Sequence, residues 1–316
     1  MANTKEIQRR IKSIANTKKI TKAMEMVAAA KMRRTTEAVL RTRSYANLSW
    51  TTVLNIAQSI NAGKYLHPLL TEKKNTKKVA IILFASNRGL CGGFNSAVIS
   101  KARQSILRHS GQKTDFIVFG KKGLSVKSRY DYNVTAQFEK NDTAIEVKEV
   151  QPLSKMIIDD FLSSKYDKVL VAYTDFVNPA NQVPRVKQIL PIDLRAQDDH
   201  LGIVGKSNKI GLDKEFVQEK EDKYLKKGTD KFVFTYEPNE EAVLNHMLPR
   251  LIEVQLFQAL LESNASEHSA RMSAMNKATD AANDLVEELT LFYNKARQAS
   301  ITAEIAEISA GANALG

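Results

Sequence analysis

The chain has 316 residues, of which 43% are hydrophobic and 26% charged, with only 13 Gly and 7 Pro; this is the composition of a folded protein and excludes low-complexity or collagen-like architecture. The single cysteine, Cys91, excludes an intramolecular disulfide and a cysteine zinc site, and suits a reducing compartment. A net charge of +12 calls for an acidic partner, whether nucleic acid, anionic membrane or an acidic protein surface.

The chain opens on Met-Ala-Asn-Thr-Lys-Glu and passes at once into helical patterning, with no apolar leader core, so a cytoplasmic location is the expectation. Residues 1–43 carry twelve Lys and Arg against three Glu, a net +9 of the total. Ile7, Ile11 and Ile14 form one helical stripe and Ile20, Met24 and Val27 a second, and no Gly or Pro occurs before Gly63. The pattern predicts one helix of about 55 residues, capped at Asn3 or Thr4 and stopped by Gly63 and Pro68.

The middle of the chain alternates apolar runs with helical patterns, which predicts an α/β sheet domain. Strands are expected at Lys78–Ala85, Asp115–Phe119, Asn133–Phe138, Lys168–Tyr173, Val186–Ile192 and Lys231–Tyr236, with helices near Asn95–His109, Lys121–Arg129 and Leu153–Ser164. The charged, Gly-containing stretch 196–230 reads as a surface insertion. From about Asn239 helical patterning returns, with Pro249 as a kink or fresh start and no further Gly or Pro until Gly311. Met272, Met275, Thr279, Ala282, Val286, Leu289, Tyr293 and Ala296 recur at alternating spacings of four and three, the seam of a left-handed coiled coil. A helix of about 60 residues extends roughly 90 Å, so the ends of the chain read as a rod whose two helices pair antiparallel if the middle returns the polypeptide to its start. The organisation is therefore α/β overall: a coiled-coil helix at 1–62, a central Rossmann-like domain at 76–237 containing the insertion, and a coiled-coil helix at 239–316.

Chemistry is sparse. The loop Ser86–Asn95 follows a strand and precedes a helix, where α/β proteins bind phosphate, yet Gly89, Gly92 and Gly93 make neither GxGxxG nor GxxxxGK[ST]. Cys91 lies near Arg88 but has no His close in sequence, and a small buried thiol is its ordinary role. His67, His109, His200, His246 and His268 show no HExxH pairing, which speaks against a metal site. The basic N-terminal helix suits phosphate neutralisation, but its charges interleave with core-type residues and it lacks a recurring aromatic platform for bases. A basic coiled-coil adaptor for nucleic acid and an α/β enzyme using the Ser86–Asn95 loop remain the competing readings.

Three separated motifs carry a resemblance. Lys5-Glu6-Ile7, Arg10-Ile11 and Lys19-Ile20-Thr21-Lys22-Ala23-Met24-Glu25-Met26-Val27-Ala28 resemble the N-terminal signature of the gamma subunit family of F-type ATP synthases. Gly89-Leu90-Cys91-Gly92 is similar to that family's central loop, and Glu267-His268-Ser269-Ala270-Arg271-Met272 with Tyr293-Asn294-Lys295-Ala296-Arg297-Gln298-Ala299-Ser300-Ile301-Thr302 to its C-terminal signature. Asn87 stands where the family usually has Asp, and Ala281-Ala282 follow Asp280 where Asn-Ala is common.

The resemblance implies a non-catalytic rotor shaft: an antiparallel coiled coil inside a ring of alternating alpha and beta subunits, with the α/β domain near the epsilon subunit and the membrane c-ring. It implies no nucleic-acid partner and no cofactor on this chain, Mg-ATP and ADP being held by the partner subunits, and a peripheral place on the cytoplasmic face of the bacterial plasma membrane. Lys22 and Met24 would lie near acidic levers of the beta subunits; Arg271, Arg297, Gln298 and Thr302 would contact beta-subunit catch loops; Arg88 and Cys91 would lie on the turn facing the ring or epsilon subunit. The insertion falls where photosynthetic relatives carry a regulatory segment, but it contains no cysteine, so a dithiol switch has no sulfur to act on.

Overall fold

The computed structural model describes residues 4–59, 67–73, 76–108, 112–142, 146–192, 237 and 239–315. The insertion at 196–230 and the strand expected at Lys231–Tyr236 lie outside the described residues. The first helix, α1, spans Thr4–Ser59, and the last, α5, spans Glu240–Leu315 without interruption at Pro249. Between them the order is β1 (Lys78–Phe84), α2 (Phe94–Arg108), β2 (Lys113–Phe119), α3 (Ser125–Tyr130), β3 (Asn133–Phe138), α4 (Gln151–Leu162), β4 (Lys168–Asn178) and β5 (Asn181–Leu190). The chain compacts into two units, residues 1–28 with 271–316 and residues 29–270, so each long helix contributes to both.

The sheet of the larger unit has the order β3-β2-β1-β4-β5. Strands β1 to β4 pair in parallel, and β5 returns antiparallel along β4. Central strands covered on both faces need continuous apolar sequence, and β1, Lys-Val-Ala-Ile-Ile-Leu-Phe, buries every residue after its first. At the edge, β3 alternates exposed and half-buried positions. Pro184 sits in β5, the other edge, where a missing backbone donor is tolerated. Strand β4 runs past Tyr173, where its apolar run ends, because pairing of Thr174 with Pro184 and Phe176 with Gln182 extends the hairpin; for the same reason β5 begins at Asn181, ahead of the strand expected from Val186. One apolar layer packs α4, α5 and Val39 of α1 against Ala80, Ile82, Phe84 and Val171. The opposite layer packs Val98, Ile99 and Ala102 of α2 and Val126 of α3 against Val79, Ile81 and Leu83.

In the smaller unit, residues 4–28 of α1 pair with α5 from Arg271 onward. Buried Thr21 meets buried Thr279 at 2.8 Å between hydroxyl oxygens. Thr21 lies shortly before the α1 stretch leaves this unit, and Thr279 shortly after the α5 stretch enters it, so the helices run antiparallel. Counting outward from that contact sets Ile14 opposite Val286, Ile7 opposite Tyr293 and Thr4 opposite Ala296. Met275, Thr279 and Ala282 are buried and Met272, Val286, Leu289, Tyr293 and Ala296 half-buried, which is the seam the spacing predicts. The α1 side differs from the sequence expectation. Its inward positions continue from Ile14 to Thr21, Glu25 and Ala28, whereas Ile20 and Val27 are 61% and 56% exposed. From Ile20 to Ala28, Thr21 and Ala28 hold the inner face while Ile20, Met26 and Val27 are exposed. Beyond Ala296, α5 has no α1 residue alongside it among the described residues, and Ile301, Ile305 and Ile308 are exposed.

Candidate interaction site

The turn after β1 is shaped by one side chain. Asn95, in the first turn of α2, accepts the Ser86 backbone N–H at 2.9 Å through Oδ1, while its Nδ2 donates to Ser86 Oγ at 2.7 Å and to Cys91 Sγ at 3.3 Å. Ser86 Oγ in turn donates to the Arg88 carbonyl at 2.7 Å. Closing so tight a loop puts Leu90 and Gly92 at positive φ, 63° and 55°, a conformation costly for Leu and free for Gly. Leu90 is thrown outward with Arg88 and Gly89, all three exposed, while Cys91 is 2% exposed beneath them. Cys91 is therefore not part of the outward surface expected of it: its thiol is spent on the internal network that supports the turn, and the surface belongs to Arg88 and Leu90.

Asn87 uses both ends of its amide. Its Nδ2 donates to the Lys140 carbonyl and its Oδ1 accepts the Lys121 N–H; an Asp carboxylate has no donor for the first of these bonds.

The crevice at the carboxyl ends of parallel strands is where doubly wound folds bind ligands. In this unit α5 packs into it. Asn264 Nδ2 donates to the Asn141 carbonyl at 3.1 Å, Lys140 Nζ reaches Glu267 Oε2 at 2.7 Å, and His268 Nε2 donates to the Asp142 carbonyl at 2.8 Å. Ser266 Oγ donates to the Thr174 carbonyl at 3.1 Å, and Ser269 Oγ to the Pro179 carbonyl at 2.6 Å. Every residue of α5 from Val254 to Ser269 is buried, including Gln258, Glu262, Asn264, Glu267 and His268. Sequence reading missed this stretch, because a helical segment polar on all sides normally lies in water; its signal was the run Glu262-Ser263-Asn264-Ala265-Ser266-Glu267-His268-Ser269 inside a helix otherwise rich in Leu.

The remaining residues singled out from sequence lie on the two long helices. Lys22 pairs with Glu25 at 3.0 Å, with Met24 half-buried beside them. Arg271 is half-buried at the start of the α5 stretch that pairs with α1, and Arg297, Gln298 and Thr302 are exposed. Thr302 Oγ1 donates to the Gln298 carbonyl one turn back at 2.9 Å. Alongside them α5 exposes Leu285, Leu291, Phe292, Ile301, Ile305 and Ile308, and α1 exposes Ile20, Met26 and Val27. So many exposed large apolar side chains on two helices mark an interaction surface. Among the described residues no group of three or more His, Cys, Asp or Glu is placed to hold a metal ion, and no helix is long and apolar enough to cross a membrane.

A family profile described as ATP synthase matches residues 3–315. The ATP synthase gamma chain of Chloroflexus aurantiacus is 38% identical over 317 aligned residues, covering 100% of this chain and 99% of the relative. That of Herpetosiphon aurantiacus is 39% identical over 322, again covering 100% and 99%. Among solved structures, a chain of the Euglena gracilis mitochondrial ATP synthase, from the assembly of OSCP, F1 and c-ring, matches with a TM-score of 0.63 at 18% identity, covering 99% of this chain and 94% of that one. A chain of the Tetrahymena thermophila mitochondrial ATP synthase central stalk and c-ring matches with a TM-score of 0.55 at 23% identity, covering 82% and 99%. Matched from end to end at more than a third of its positions, the chain belongs to the ATP synthase gamma chain family.

Proposed function

We propose that the protein is the central rotor shaft of an F-type ATP synthase, carrying no catalytic residue and binding no cofactor of its own. The observation that carries this is the apolar outer surface of the paired helices: with a seam already buried at Thr21, Met275, Thr279 and Ala282, they still expose Ile20, Val27, Leu291, Phe292 and Ile301. Large apolar side chains left on the outside of an already paired coil call for a surrounding sleeve of partner surface. In this reading the sleeve is the ring of alternating alpha and beta subunits, which hold the Mg-nucleotides. One side of the shaft differs from the next, so chemically identical beta subunits meet different surfaces and their conformational populations shift in turn. Rotation driven by an ion gradient is thereby converted into opening and closing of the catalytic sites.

Within that sleeve Lys22 and Met24 meet acidic levers of the beta subunits. Arg271, Arg297, Gln298 and Thr302 meet their catch loops, where an Arg fork bonds two carboxylate oxygens at once and Lys does not. Arg88 and Leu90 on the outward turn of the sheet unit face the c-ring or the epsilon subunit, and the protein sits on the cytoplasmic face of a bacterial plasma membrane through the complex. The test is co-expression with the alpha and beta subunits, with and without this chain. A stable complex whose steady ATP turnover requires the chain is the expected result. A complex that turns over equally well without it, or a chain that remains separate and binds RNA with steep salt dependence, overturns the reading.

A further inference from the structure

Lys140 and Glu267 form an ion pair with 0% and 1% of their side-chain surface exposed. The Lys140 ammonium also lies 5.5 Å from the centre of the Phe94 ring. Burying two charges is expensive, and well-packed apolar residues of similar size serve stability as well or better. What an ion pair supplies and apolar contact does not is direction: apolar packing is non-directional, whereas a charge-assisted bond is satisfied only within a narrow range of distance and angle.

The pair sits at the centre of a two-sided grip. On one side the short segment Lys140–Asp142 is held by three positions of α5, Asn264, Glu267 and His268, which share one face of the helix. The same segment is fixed to its surroundings by Asn87, through the Lys140 carbonyl, and by Lys31 of α1, whose ammonium lies 3.4 Å from Asp142 Oδ2. On another side Ser266 and Ser269 bond to carbonyls of β4 and of the turn after it. Turning α5 about its own axis by one residue is a rotation of about 100° and breaks every one of these bonds, while its leucines exchange one apolar neighbour for another.

We propose that the Lys140–Glu267 pair is a rotational lock: these positioning residues keep α5 from turning within the sheet unit, so that torque entering one passes to the other. The proposal rests on the rotor reading given above. The test uses the assembled membrane complex carrying Lys140→Met together with Glu267→Met, which removes both charges at similar volume and leaves no unpaired ion. ATP hydrolysis is measured alongside ATP-driven ion pumping into vesicles, with a potential-sensitive dye that responds whichever cation is moved. The lock predicts hydrolysis within about twofold of the parent and a fall of about twofold or more in pumping per ATP, because the paired helices still turn in their ring but are held to the sheet unit only by the remaining bonds of Asn264, His268, Ser266 and Ser269. An unchanged ratio of pumping to hydrolysis shows that the pair only fills space and overturns the proposal. Failure of the doubly substituted chain to assemble also overturns it, because the pair is then a folding determinant. The parent complex in the same assay tests the rotor reading separately: pumping that does not need the chain at all refutes that reading before any substitution is made.

Discussion

Replacing Thr279 by Val tests whether the seam of the paired helices is held by hydrogen bonding or by shape. Thr21 Oγ1 and Thr279 Oγ1 lie 2.8 Å apart, Thr279 Oγ1 lies 2.8 Å from the Met275 carbonyl, and Thr21 Oγ1 lies 3.0 Å from the Lys18 carbonyl. Two hydroxyl protons cannot serve three contacts. Either Thr21 donates to Thr279, which donates to Met275, or Thr279 donates to Thr21, which donates to Lys18. Valine preserves the volume and the β-branch of Thr, so helix propensity barely changes. In Thr279→Val the Thr21 hydroxyl falls back on the Lys18 carbonyl, so one bond is lost and no donor is stranded. The cost is therefore about 1 kcal/mol, that of an ordinary hydrogen bond. Adding Thr21→Val removes the remaining bond as well, at about another 1 kcal/mol, so the two changes add to about 2 kcal/mol. Native-state amide exchange along α5 near Thr279 reads local opening directly. Each single variant is expected to exchange about fivefold faster there, and the double variant about thirtyfold faster. Single variants that exchange no faster than the parent would refute the hydrogen-bonded seam.

Gly120 has φ 100°, and a Cβ built on it comes within 2.3 Å of the Ala85 carbonyl oxygen, a backbone atom with nowhere to go. Gly120→Ala is expected to destabilise the sheet unit by about 2 kcal/mol or more, read by denaturant unfolding, while Gly89→Ala, with nothing within 4 Å of its Cβ, leaves stability unchanged. Half-buried Asp167 joins the segment before β1 to the one before β4. Burial opposes its charge, but the Lys77 and Lys78 N–H groups, each at 3.0 Å, and the nearby Lys73 ammonium outweigh burial and hold its carboxyl below the usual range. A carboxylate with a lowered folded-state pKa stabilises the fold above its unfolded value of about 3.9, and that contribution is lost as pH falls through the folded value. Asp167→Asn should therefore unfold more easily at pH 7 yet show less further loss of stability below about pH 4 than the parent.

Both terminal helices were legible because their signal is long and uniform: neither Gly nor Pro interrupts 1–62, and the seam from Met272 to Ala296 repeats without error. The phase of α1 was not legible. Ile20, Met24 and Val27 repeat at helical spacing as regularly as Ile7, Ile11 and Ile14 do, and periodicity marks an apolar stripe without saying whether the chain covers it or leaves it for a partner. The buried polar stretch of α5 escaped for a related reason. Glu267 and His268 look like surface residues until tertiary packing supplies Lys140 and the Asp142 carbonyl, which lie more than a hundred residues away in sequence. Even the turn at Ser86–Asn95 could be located from its glycines, but not which side of it faced outward; that depended on Asn95 folding back to grip Ser86 and Cys91.

The end of α5 past Ala296 has a mechanical consequence. Up to that point two helices share any twisting load, and neither can deform without disturbing the seam it forms with the other. Past it, among the described residues, α5 has no second helix of this chain to share the load. Where the described residues offer only one helix, torsional compliance is expected to be greater than in the paired stretch, so the last turns would yield first under load, a soft spring in series with a stiffer shaft.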